Sequence, residues 1–126
     1  MGNKITTFEE LQAWQKARAL TVHVYHLTEN RPFAQDFGLR DQIQRAASSI
    51  MHNIAEGFEA GSDKEFIRFL RIARRSAAEV QSQLYLACDL QYITEEERQH
   101  AHALAVETKR LINGLIGYLT RASQTR

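Results

Sequence analysis

The sequence predicts an all-α fold, an antiparallel up-down four-helix bundle, on three observations. Capping-box patterns, Ser or Thr followed three residues on by Glu, stand at Thr7–Glu10, Ser62–Glu65 and Thr94–Glu97. In each, the hydroxyl can accept a free first-turn N–H while the Glu reaches back to the cap. Apolar residues then recur at alternating steps of three and four, the spacing of helices packed side by side. Finally, the connections near 30–35, 58–62 and 91–94 are short, which makes neighbouring helices antiparallel.

Each helix follows from its own stretch. The first, about 8–29, carries Ala13, Ala17, Leu20, Val24 and Leu27; the second, about 36–57, carries Leu39, Ile43, Ala46, Ile50 and then Asn53. The third, about 63–91, starts at the Ser62 cap and repeats Phe66, Leu70, Ala73, Ala77, Val80 and Leu84. The fourth, about 95–121, starts at Thr94 with Ala101, Leu104, Thr108, Leu111, Leu115 and Tyr118 as its seam. Helix 1 has apolar surface to spare: Leu11, Trp14, Val22 and Tyr25 lie on a second arc, about a quarter turn away at about 100° per residue. That arc either widens the core or forms an oligomer interface, since monomers seldom expose large apolar patches.

At 126 residues the chain is one domain, 1–126, with a charged fraction of 25% and a hydrophobic fraction of 44%, ordinary for a soluble protein. One cysteine, Cys88, excludes an internal disulfide and a Cys-based zinc site, and reads as a small core residue. The opening "MGNKITTFEELQAW" has no apolar core of signal-peptide length, and no window suffices for a membrane span. A cytoplasmic protein is expected. The formal net charge is only +1, but residues 64–126 hold ten basic and seven acidic side chains against six and eight in residues 1–63. An anion-binding surface is therefore expected in the second half.

Candidate chemistry is sparse. In "HNIAEG", His52 and Glu56 share a helix face, but His52 falls on the solvated side with Asp41 and Arg45 and has no third ligand. His23 and His26 lack an acidic partner in their own turn, and His100 and His102 project to opposite sides. No catalytic residue, metal or cofactor is expected: there is no phosphate loop, nucleophile elbow or paired carboxylate. Asn53, placed in the seam, suggests a buried polar network with Glu56 at its edge and Ser76 and Glu79 across the bundle, fixing the register of helices 2 and 3. Lys64, Arg68, Arg71 and Arg75 fall within about 60° of arc opposite the helix 3 seam, with Arg74 beside them. Such a stripe either solvates the face or contacts phosphates, where arginine suits bidentate contact.

Three stretches, "FEELQAWQKARAL", "FGLRDQIQRAASSIMHNIAEG" and "SDKEFIRFLRIARRSAAEVQSQLYLACDLQYI", together resemble the bacterial four-helix-bundle family of 23S rRNA intervening-sequence proteins. The match runs from about Phe8 to Leu119. Met51 stands where the family pattern has proline, and Arg75 where it has glycine. The resemblance implies a cytoplasmic homopentamer with no catalytic activity. A related branch, the accessory variability proteins of diversity-generating retroelements, binds nucleic acid and a reverse transcriptase through a basic surface. The expectation is therefore a non-enzymatic homo-oligomer binding RNA or DNA through the Lys64–Arg75 stripe; a ring that docks a protein partner, with no nucleic-acid role, is the alternative.

Overall fold

A computed structural model of the chain describes residues 4–124. Four helices, α1 (Gln12–Leu27), α2 (Phe37–Phe58), α3 (Asp63–Asp89) and α4 (Glu95–Gln124), follow one another with no strand among the described residues. Each packs on its sequence neighbour and α1 closes the ring against α4, giving the expected four-helix bundle. The α2–α3 contact is the most extensive of the four and α1–α4 the least.

The start signals differ in what they cap. At Thr94 the box is complete: Thr94 Oγ1 accepts from Glu97 N at 3.0 Å, and Glu97 Oε1 accepts from Thr94 N at 2.8 Å. Ser62 Oγ accepts from Glu65 N at 3.2 Å, but the Glu65 carboxylate turns to Arg68 instead of the cap. The Thr7–Glu10 box closes only a single 3-10 turn, Phe8–Glu10. Leu11 is extended (φ −73°, ψ 125°), so α1 begins at Gln12 and not near residue 8. Asp36, which the spacing did not single out, caps α2 by accepting from Leu39 N at 3.1 Å. Its other oxygen accepts from the Tyr92 hydroxyl at 2.8 Å, joining the α1–α2 and α3–α4 connections at one end of the bundle.

The core is built of alternating large and small residues. Leu20, Ile43, Ile50, Ile54, Leu70, Leu84 and Ile112 are fully buried, and between them Ala17, Ala47, Ala73, Ala77, Ala101 and Ala105 let the helices approach. The α2–α3 packing is tight at Gly57 of α2. A Cβ there would lie 2.8 Å from Phe69 Cβ and 2.9 Å from Phe66 Cδ1, so only glycine fits at this point of the "NIAEG" segment. Gly61, at φ 90°, then takes the left-handed turn into α3 that a side chain disfavours.

Two phases differ from the sequence reading. In α2 the step after Ile50 is four, not three: Ile54 is buried and Asn53 sits at the flank, half-buried. In α4 the innermost residues are Ala101, Ala105, Thr108, Ile112 and Leu119; Leu104, Leu111 and Leu115 are partly buried, and Tyr118 is 61% exposed. Two apolar arcs run along α4, and the helix turns the one containing Ala105 inward, where a small residue suits close packing. Thr108 Oγ1 donates to the Leu104 carbonyl at 2.7 Å, which lets the hydroxyl sit in the core.

Candidate nucleic-acid interface

The outer face of α3 carries the basic residues, and the structure divides them into two groups. Lys64, Arg71 and Arg75 are exposed, and none is in an ion pair or side-chain hydrogen bond among the described residues. Arg68 is engaged: its guanidinium meets Glu65 at 3.0 Å and lies 4.5 Å from the centre of the Phe69 ring. Arg74 lies toward α4, where its NH1 donates to Asn113 Oδ1 at 2.9 Å. Of the four-residue stripe, Lys64, Arg71 and Arg75 are thus unengaged and Arg68 is ion-paired, while Arg74 beside it is bonded to a neutral amide. The Glu65–Arg68 pair was legible as an i, i+3 pair; Asn113, 39 residues away, was not.

Helix α4 adds fewer unengaged basic side chains than its composition suggests. Arg110 is held by Glu107, at 2.6 Å, and Lys109 donates to Gln81 Oε1 at 3.0 Å, while Arg121 is exposed near the C-terminal end. Tyr85, the exposed aromatic nearest this face along α3, carries the Arg98 guanidinium 4.6 Å from its ring centre. Arg98 in turn forms a two-bond pair with Glu95, both bonds at 2.8 Å. Those bonds, with one from Gln99, hold the Glu95 carboxyl down to about 2. Cys88 is half-buried beside it, its thiol pushed up by burial and by Glu95.

The proposed polar network forms only in part. Ser49 Oγ and Ser76 Oγ lie 3.1 Å apart across α2 and α3. Asn53 Nδ2 donates to the Ser49 carbonyl at 2.8 Å and lies 3.0 Å from Ser49 Oγ. Ser49, which sequence reasoning missed, is therefore the link. Glu56 is exposed and outside this chain of bonds, and Glu79 accepts from Gln83 Nε2 within α3. The reason is the α2 phase: with Ile54 in the core, Glu56 rotates outward.

The apolar arc also separates. Leu11 is buried and cannot serve an interface; it lines a cleft of about 600 Å³ with Ile5, Phe58, Phe66, Leu115 and Tyr118. Trp14 is half-buried, edge-on to Phe8 at 5.2 Å and beneath Arg18. Val22 and Tyr25 remain open, 51% and 44% exposed. No three metal-ligating side chains converge among the described residues, and no helix there is long and apolar enough to cross a membrane.

The family of 23S rRNA-intervening sequence proteins matches residues 9–114. The chain belongs to this family. Among solved structures, one from Bacteroides thetaiotaomicron is described as a protein of unknown function from the S23 ribosomal protein family. It is 29% identical, covers 82% of this chain and 97% of its own, and superposes with a TM-score of 0.76. No curated protein matches the chain. The matched span of this 23S rRNA-intervening sequence protein takes in the whole α2–α3 hairpin, with Gly57 at its close approach and the basic residues of α3.

Proposed function

We propose that this member of the 23S rRNA-intervening sequence protein family is a non-enzymatic, cytoplasmic homo-oligomer that binds an RNA or DNA backbone through the outer face of α3. The observation that carries the reading is the set Lys64, Arg71 and Arg75, exposed on one helix face with no ion pair among the described residues. Like charges held this way repel one another, and a phosphate backbone relieves the repulsion. The set spans about 16 Å of helix at about 1.5 Å per residue. Arg68 and Arg74, within the same span of helix, are held and contribute after giving up Glu65 and Asn113. Side chains of this kind contact phosphates and carry no pattern for reading bases, so binding follows charge and backbone shape.

Self-association, to a pentamer by the family resemblance, would use the open part of α1, Val22 and Tyr25 with Trp14 at its edge. Repetition of a three-charge site around a ring raises avidity without new contacts. Binding of a labelled RNA duplex and the matching DNA duplex at low salt tests the reading: Arg71→Glu with Arg75→Glu should abolish it, and absence of binding by the unaltered protein would overturn it. A protein partner, such as the reverse transcriptase of the related branch, is the second reading. It is favoured by Leu86 near the end of α3 and Leu90 just past it, 47% and 45% exposed.

A further inference from the structure

We propose that the contact between His23 and His100 makes the seam between α1 and α4 an acid-labile joint, which opens while the α2–α3 hairpin stays packed. His23 is half-buried on α1, with its ring centre 4.7 Å from that of His100 and the planes at 69°. His23 Nε2 is buried and has no hydrogen-bond partner among the described residues. Such an atom tolerates a neutral ring better than a charged one.

The groups around His23 are His26 one turn on in α1, and His100 and Glu97 from α4. Glu97 is the one anion among them, and its Oε1 is already bonded to the N–H of Thr94. His26 lies toward solvent, with Nδ1 3.6 Å from Glu29. Burial first, then His100 and His26, hold the His23 imidazole below the ordinary histidine range, with Glu97 acting the other way. The unfolded chain therefore takes up this proton more readily than the folded one. The seam keeps its full stability above the ordinary histidine range and loses it as the pH falls below that range. Protonation of both rings also sets two positive charges edge-on to each other, 4.7 Å apart between ring centres. Because α1–α4 is the least extensive of the four helix contacts and α2–α3 the most, the strain is released at α1–α4.

Hydrogen exchange of the whole chain at about pH 7.5 and about pH 5, corrected for intrinsic rates, tests this across the histidine range. Amides of residues 19–27 and 97–104 should lose protection by about fourfold from the Coulomb repulsion of two unit charges at this separation in a water-like dielectric, with the burial of His23 adding to that loss. Residues 66–84 should be unchanged. His100→Gln, at an exposed position, should halve or better that loss, and His23→Gln should remove it. Acid loss spread evenly over all four helices, or an unaltered pH response in His100→Gln, would overturn the proposal.

Discussion

Salt dependence separates three phosphate contacts from five, which makes it the sharpest measure of the α3 face. Each neutralised phosphate adds about −0.9 to the slope of log affinity against log salt on a B-form duplex. With Lys64, Arg71 and Arg75 free and Arg68 and Arg74 held, the slope per engaged chain is about −2.7, and affinity falls about 40-fold between about 50 and 200 mM salt. If Glu65 and Asn113 released their arginines, the slope would steepen to about −4.5 and the loss to about 500-fold. Arg71→Gln with Arg75→Gln leaves Lys64 alone, a slope of about −0.9 and a loss of only about 3.5-fold. Fluorescence anisotropy of a labelled duplex, titrated with potassium chloride, reads all three values. A slope near zero, or one that the double substitution leaves unchanged, would refute phosphate contact by this face.

Gly57→Ala should destabilise the protein by about 1–3 kcal/mol in urea unfolding, because the added methyl meets a Cβ and a backbone carbonyl that cannot swing aside. Gly114→Ala, with nothing within 4 Å of the new Cβ, should instead gain roughly 0.5–1 kcal/mol from helix propensity. The Leu39 N–H and then the Tyr92 hydroxyl hold the Asp36 carboxyl below its ordinary range, so their stabilisation is present above that range and fades as the pH falls through the folded value. Tyr92→Phe should accordingly lower the urea midpoint at neutral pH, with the gap to the unaltered protein closing on acidification. Val22→Glu with Tyr25→Glu should shift the mass in light scattering from oligomer toward monomer, while leaving the helical circular dichroism of the chain intact.

What was legible in the sequence is what depends on near neighbours along the chain. The Ser62 and Thr94 caps and the α3 seam from Phe66 to Leu84 involve residues three or four apart, and each stands where the spacing puts it. The rotation of a helix about its axis is set by its neighbours, and there the spacing was ambiguous. At Ile50, steps of three and four were both open, and the close α2–α3 approach at Gly57 selects Ile54 over Asn53. In α4 the choice between Leu104 and Ala105 was equally open until α1 and α3 were in place. Partners across helices were not legible at all. His23, set aside for want of an acidic partner in its own turn, meets His100 of α4, set aside because it and His102 project to opposite sides, and Arg74 finds Asn113. Leu11 was misread for a different reason: the helical wheel was applied to a residue that lies just outside the helix.

The glycine at 57 reaches farther than the hairpin it closes. The Cβ of Phe69 lies against it from α3, and the ring of that same residue carries Arg68. A larger residue at 57 would push on the Phe69 Cβ and so on the platform beneath the Arg68 guanidinium. An interior gap on α2 is thus joined, through the one residue Phe69, to a cation on the outer face of α3. Variation at this buried position would reach the outer, charged face of α3 as well as the core.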